Sequence, residues 1–324
     1  MSIDTGIFLS DMKSKGYSVV RGLHSQSTIE VLQRLVSQEL NHYRVSEGTA
    51  NGQPRYVRST DDAESTAMTL PATRCRPEVA ELASPQGLEN ALAELFDDEV
   101  IVHPNQWLRA VPPDESGWAA APGVHADCFE LQGSLRQITV WSPIFHVTPE
   151  TGALPLFRWT PGSIPVQLTL SSENMSGWTL TTEGLEPCSQ QESILSPSDA
   201  VVFYSTTPHG GSRNRGEGWR VSVETRYQPV NDFMERSALE PYDGSSWSDP
   251  EWTWKRRSIE RLLGQNINLV DFDPVFEDWR AIEALRLGQI GDESAFRALE
   301  NATLHRNPLI ARQAQELIEW NGWR

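Results

Sequence analysis

Cysteine is scarce in this chain, with three in 324 residues, at Cys75, Cys128 and Cys188. An odd number so widely spaced builds neither a disulfide framework nor a metal cluster, and a reducing compartment is the expectation. Positive charge is short too: 27 Lys and Arg stand against 44 Asp and Glu, a net charge of -17. Nucleic acids and anionic membrane surfaces both reward a basic face, so neither is an expected partner. No apolar run approaches the roughly 18 residues of a membrane span. The N-terminus carries Asp4 and no basic flank leading into an apolar stretch, which does not read as a signal peptide. A cytoplasmic protein is therefore expected.

What remains is ordinary globular material, 38% hydrophobic and 22% charged. The length suits one large domain, or one domain with an extension. From Asp11 to about Leu40 the pattern reads helix, short strand (Gly16 to Val20), helix, with Ser27 as cap and Ile29, Leu32, Leu35 and Leu40 facing inward. Residues 44–66 are polar and aperiodic and read as a long surface loop able to act as a lid. A further helix is expected from Gln86 to Phe96, with Leu88, Leu92 and Leu95 inward.

From Glu99 to Tyr227 the signal is one of short β-rich segments: 100–102, 106–110, 137–141, 194–195, 200–204 and 219–227. Many short strands without long intervening helices predict a mainly β fold with flanking helices, an antiparallel jelly-roll or cupin-like core. Beyond Phe233 a Trp-rich link (Trp247, Trp252, Trp254) leads into helices broken at Gly291-Asp292. The division expected is a core over 1–232 and a helical extension over 233–324 packed on its outside.

Within the β region, His125-Ala126-Asp127 is followed 84 positions later by His209 and 11 further on by Arg220. With 7 His and 44 acidic residues, about one H-x-D/E match arises by chance, so the tripeptide alone is weak. Read as an extended segment, however, it turns His125 and Asp127 to one face, able to chelate one ion. Two imidazoles and one carboxylate are the protein ligands of the facial triad that holds Fe(II) and leaves positions open. His209 follows the 200–204 strand at a turn, where it can project into a barrel mouth. On the last strand Arg220, Ser222 and Glu224 share a face, with Val221, Val223 and Thr225 on the other. A guanidinium there is expensive to bury unless paired, and a carboxylate ligand is a natural partner, Ser222 adding a hydrogen bond. His103 and His146 read as structural or solvated. Arg109 and Arg158 could each meet an anionic group, with a surface salt bridge the reading placed ahead of a substrate contact.

With these residues in place, the chain resembles the phytanoyl-CoA dioxygenase family of Fe(II)- and 2-oxoglutarate-dependent oxygenases. The resemblance covers roughly residues 8 to 229. It rests on the opening helix–strand–helix, on His125-Ala126-Asp127, on Trp141 at a strand end, and on the turns at Thr151-Gly152 and Pro161-Gly162-Ser163. The closing set His209, Asn214 and Arg220 completes it. It implies a double-stranded β-helix, iron on His125, Asp127 and His209, and the distal carboxylate of 2-oxoglutarate on Arg220. Trp141 and Trp107 would touch the cosubstrate. Two departures stand out: Thr151 replaces an Asn, and Gly211 replaces a Ser, with Ser212 one position later.

The implied reaction consumes O2 and 2-oxoglutarate and releases succinate and CO2. Family members that halogenate carry Gly or Ala at the carboxylate position, so Asp127 favours hydroxylation, with desaturation and ring formation left open. Two other readings stay open at this level: a cupin-like metalloenzyme that uses the triad without 2-oxoglutarate, and a non-catalytic binding protein on the same scaffold.

Overall fold

The structure is a computed structural model. It describes residues 3–323 apart from 51–52, 59–69, 84, 86, 114–122, 130–132, 164, 166–167, 171–177, 242–245, 253–254, 256–258, 261, 263, 265–266, 271–275, 292 and 306. In chain order the elements begin with α1 (Thr5–Lys15), β1 (Tyr17–Val20), α2 (Gln26–Leu40), β2 (Tyr43–Ala50) and β3 (Gln53–Arg58). Then come α3 (Pro71–Arg74), α4 (Pro77–Glu81), α5 (Leu88–Phe96), β4 (Val100–Val111), β5 (Ile138–Pro143), β6 (Leu168–Leu170) and β7 (Trp178–Leu180). The chain closes with β8 (Ala200–Tyr204), β9 (Arg220–Pro229), β10 (Phe233–Glu235), β11 (Asn268–Val270), α6 (Phe276–Gln289), α7 (Phe296–Ala302) and α8 (Pro308–Trp320).

The main sheet has five antiparallel strands in the order β1-β8-β5-β9-β4. Outside the named strands the chain also pairs through isolated bridges, His125 to His209, Leu156 to His209, Phe157 to Pro187 and Val147 to Leu195. Strand alternation sorts the two faces of the sheet. One face carries Leu108, Ala110, Val221 and Val223, buried against Ile29, Leu32 and Val36 of α2. Further along, Ile138, Val140, Ala200 and Val202 meet Phe8 and Met12 of α1 and Leu88 and Leu92 of α5. The other face turns Trp107, Arg109, Trp141, Phe203, Arg220 and Glu224 toward a common cavity.

Local chemistry sets the helix ends. Asp4 accepts from Ile7 N to cap α1. Gly16 ends α1 at φ 80°, where a Cβ would sit 2.7 Å from the Trp159 carbonyl. Ser25, not Ser27, caps α2, accepting from Thr28 N. Val36 is buried on α2 while Leu35 is half-buried. Glu39, also buried, accepts from Ala72 N and Thr73 N at the start of α3.

Several expectations are corrected. Within 44–66, the described part forms an antiparallel hairpin of β2 with β3, Tyr43 opposite Arg58, while 59–66 lies outside the described residues. Backbone pairing there does not require apolar periodicity, which is why composition misreads it as a loop. Segments 100–102 and 106–110 belong to one strand, β4, with a register shift between Val102 and Gln106. Residues 194–195 supply one bridge rather than a strand. The helix expected from Gln86 begins at Leu88, and Gln86 itself lies outside the described residues, as do Trp254 and Asp292.

Past residue 232 the chain is helical but not only so: β10 pairs in parallel with β11, and Met234 bridges to Gly133. Helices α6, α7 and α8 form a core around Leu285, Leu299 and Leu317 that also takes in Ala126, Cys128, Leu135 and Leu180. The C-terminal helices thus back the turn that carries Asp127.

The extension is also tied to β4 by a buried cation. Lys255 Nζ donates to Gln106 Oε1 and lies 5.4 Å from the Trp247 ring and 5.6 Å from the Trp252 ring. Burial first, and Arg74 second, push the Lys255 ammonium down to about 7. The unfolded chain therefore binds more protons than the native one between about pH 7 and the ordinary lysine value, so stability rises with pH across that window. Compared with Lys255→Met in urea denaturation, the wild type should gain on the variant by up to about 1.4 kcal/mol per pH unit above pH 7. A pH-independent difference would contradict this.

Candidate metal centre

His125 and Asp127 do not lie on one continuous extended segment. His125 exchanges backbone hydrogen bonds with His209 (N to O 2.7 Å and 2.9 Å), and Asp127 opens a 3-10 turn over Asp127–Phe129. The turn is anchored by Cys128 N donating to Ser205 O. The expected convergence is nonetheless met, by a bridge plus a turn instead of strand alternation. Ligand atoms of His125, Asp127 and His209 all lie within 4.8 Å of one another. The two imidazole centroids are 4.4 Å apart.

Each ring nitrogen has a distinct task. Nδ1 of His125 faces Gly123 O at 2.8 Å, and Nδ1 of His209 faces Thr207 O at 3.0 Å. A carbonyl can only accept, so each Nδ1 carries a proton and Nε2 is the atom each ring can offer to a metal, on His209 once its second proton has left. Those Nε2 atoms face the same oxygen, Asp127 Oδ1, at 3.8 Å and 3.4 Å. The other oxygen, Oδ2, accepts from Thr139 Oγ1 at 2.7 Å and has Arg226 Nη2 at 3.7 Å. Thr139 and Arg226 are cross-strand partners on β5 and β9, so the sheet register delivers both to one carboxylate oxygen. This geometry leaves one oxygen and two imidazole nitrogens for a single metal ion, a donor set that fits Fe(II) with open positions.

The electrostatics are those of a preformed anion among cations. Burial alone would raise the Asp127 carboxyl, but His209, then Arg226, hold it well below the usual carboxylate range. Burial would lower His209, and Asp127 overrides it and raises the imidazole. His125 is pulled down to about 4 by burial first and by His209 second.

The cavity beside the triad measures about 190 Å³. Arg220 lines it, 4% exposed, with Nη1 donating to Gly152 O at 3.1 Å. Gly152 can present that carbonyl because it sits at φ 90°, where a Cβ would come within 2.7 Å of Ser212 O. Burial, with Arg109 adding to it, lowers the Arg220 guanidinium to about 10. Ser222 is fully buried, and its Oγ has no hydrogen-bond partner among the described residues. An orphaned hydroxyl next along the face from a buried guanidinium fits a carboxylate ligand. Trp107 and Trp141 line the cavity, and Ser222 is not among the residues that line it. Gly211 lines it and Ser212 does not, so the turn after His209 presents no serine hydroxyl to the cavity.

Other expected roles divide. His103 is buried against Gln228, His146 is exposed, and Arg158 pairs with Glu186 at 3.3 Å on the surface. Asn214 is buried and ties Val111 O and Gly218 O, closing the loop before β9. Arg109 lines the cavity, because β4 alternation puts it on the face of Trp107, and Glu224 Oε1 stands 3.9 Å from its Nε, so its ion pair lies at the cavity and not on the open surface. Sequence reasoning does not single out Arg226 or Thr139. Arg226 continues the set Arg220, Ser222, Glu224 by one step and is legible there. Thr139 carries no local signal, since its role depends on the β5–β9 register.

Because Thr139 and Arg226 hold the oxygen turned away from the metal position, removing either should loosen the ligand without deleting it. Thr139→Val and Arg226→Met are each expected to weaken Fe(II) or Co(II) binding by roughly 10- to 100-fold. Unchanged affinity in both variants would show that Asp127 needs no such support.

No family model matches the chain. The 1-deoxypentalenic acid 11-beta-hydroxylase of Streptomyces arenae is 24% identical over 164 residues, 47% of this chain and 58% of that enzyme. The match thus spans a little over half the length of that relative. Among solved structures, the epimerase SnoN from nogalamycin biosynthesis, in complex with Fe3+, alpha ketoglutarate and nogalamycin RO, reaches a TM-score of 0.47 at 16% identity, over 71% of this chain and 85% of that one. ThoJ, a non-heme monooxygenase in its apo form, superposes with a TM-score of 0.51 at 12% identity. That alignment covers 95% of this chain and 99% of the other, so the fold, C-terminal helices included, is shared with ThoJ almost end to end.

Proposed function

We propose that this protein is a non-haem Fe(II)- and 2-oxoglutarate-dependent oxygenase of the phytanoyl-CoA dioxygenase kind, hydroxylating a C–H bond of a small molecule. The observation that carries the reading is the division of labour at Asp127. One oxygen faces the Nε2 atoms of two imidazoles while the other is held by Thr139 and Arg226. His125, Asp127 and His209 would hold the iron. Arg220 would hold the distal carboxylate of 2-oxoglutarate, and Trp107 and Trp141 would flank it. On this reading the five-stranded sheet and the isolated bridges are the two walls of a double-stranded β-helix spanning residues 1–232, and 233–324 is an extension that braces the ligand turn.

Bound there, iron and 2-oxoglutarate supply the activation of O2, with succinate and CO2 as co-products of substrate hydroxylation. The chain's own residues do the positioning. The Gly123 and Thr207 carbonyls fix the tautomer and tilt of the two imidazoles. The Gly152 carbonyl orients the Arg220 fork, and Leu154 and Phe203 exclude water from the cavity wall. A carboxylate at position 127, rather than Gly or Ala, supports hydroxylation over halogenation. The test is anaerobic binding of Fe(II) and 2-oxoglutarate, followed by a metabolite screen for stimulated succinate release. Absence of Fe(II) binding by folded protein would overturn the reading.

A further inference from the structure

The cavity carries more positive charge than the proposed metal and cosubstrate use. Arg109, Arg220 and Arg226 line it against Asp127 and Glu224, so one guanidinium charge is in excess among the described residues. A divalent ion and the dianion of 2-oxoglutarate leave that excess unchanged. Two of the three arginines are committed. Arg226 lies 3.7 Å from Asp127 and 3.4 Å from Glu224, and Arg220 donates to Gly152 beside Ser222.

Arg109 is the remaining cation. Its Nε is buried with no hydrogen-bond partner among the described residues, and Glu224 Oε1 stands 3.9 Å away, beyond hydrogen-bond range. The side chain is 19% exposed, and Glu224, at the far limit of an ion pair, is the acidic partner recorded for it among the described residues. A guanidinium held that way is unfavourable until an anion joins it. The wall around it, made by Trp107, Trp141, Leu154 and Phe203, is apolar and aromatic.

We propose that Arg109 receives the single carboxylate of an apolar organic acid, and that such acids are the substrate class of this site. Calling that acid the substrate rests on the oxygenase reading above. A competing use exists on the same strands: Arg109 pairs in register with Ser222, so it is also within one residue of the proposed cosubstrate clamp. The experiment separates the two.

Cyclohexanecarboxylate and 3-phenylpropanoate are titrated calorimetrically under nitrogen against protein loaded with Fe(II) and 2-oxoglutarate, each beside its methyl ester. Wild type should prefer each acid over its ester by at least about tenfold, and Arg109→Gln or Arg109→Met should bring that ratio to within about twofold. Arg109→Lys, which keeps the charge and loses the planar fork, should fall between. Affinity for 2-oxoglutarate should move by less than about threefold in these variants, in contrast to Arg220→Ala. Equal binding of acid and ester to wild type, failure of both acids to bind, or a preference that survives in both neutral variants would overturn the proposal. A collapse of 2-oxoglutarate binding in Arg109→Gln would also overturn it and assign Arg109 to the cosubstrate. Should wild type fail to take up Fe(II) or 2-oxoglutarate, the oxygenase reading fails instead. The same acid–ester comparison on metal-free protein then decides the anion pocket by itself.

Discussion

Replacing His209 with Ala is expected to weaken Fe(II) binding by well over 100-fold and to abolish 2-oxoglutarate turnover, because losing an outer partner of a metal ligand already costs roughly 10- to 100-fold. His209 is the ligand that joins the two distant stretches of chain. It contributes Nε2 at 3.4 Å from Asp127 Oδ1, and its backbone pairs with His125. The side-chain substitution leaves that backbone bridge in place, so the apo fold should survive and the loss should be confined to the metal. The same residue sets the pH dependence. Asp127 holds the His209 imidazole protonated to higher pH than usual, whereas His125 is already pulled down to about 4. A metal must therefore displace about one proton, and affinity should fall as the pH drops through the range where His209 titrates. Equilibrium titration with Co(II) at several pH values measures this. Affinity that does not change with pH, or that is equal in His209→Ala, would remove His209 from the centre.

Arg220→Ala is expected to raise the KM for 2-oxoglutarate by roughly 30-fold to several thousand-fold, the equivalent of about 2 to 5 kcal/mol for truncating one partner of a buried, hydrogen-bonded charge pair. Iron binding should persist, since Arg220 is not one of the three ligands. Arg220→Lys should recover part of the loss, because a point charge replaces a fork. Stability offers an independent readout. Burial lowers the Arg220 guanidinium to about 10, which means that the empty site holds the charge at some expense. Arg220→Met should then melt no lower than wild type in the absence of ligands, even as cosubstrate binding is lost. Unaltered turnover in Arg220→Ala would instead favour a metalloenzyme that uses the triad without 2-oxoglutarate.

How far the sequence can be read follows from which interactions are local. His125, Asp127, His209 and Arg220 can be found because residue type, spacing and the alternation on β9 are written along the chain. The faces of that strand, Val221 and Val223 to the core and Arg220 and Ser222 away from it, come out as expected. Arg226 lies one step along the same alternation. Thr139 is beyond reach, because only the pairing of β5 with β9 brings it to Asp127. Arg109 stays ambiguous for the same reason: an arginine between Leu108 and Ala110 suits a strand facing solvent as well as one facing a cavity. The β2–β3 hairpin is hidden by its polar composition, and the parallel pairing of β10 with β11 joins segments more than thirty residues apart. The packing of the C-terminal helices on Ala126 and Cys128 likewise gives no local signal.

The most direct test of the account is an anaerobic titration of folded apoprotein, first with Fe(II) and then with 2-oxoglutarate, on wild type, His209→Ala and Arg220→Ala. Wild type should take up about one Fe(II) per chain and then about one 2-oxoglutarate, the second only after the first. His209→Ala should lose both, and Arg220→Ala should keep the iron and lose the cosubstrate. Iron uptake that ignores His209, or 2-oxoglutarate binding that ignores both the metal and Arg220, would contradict the account.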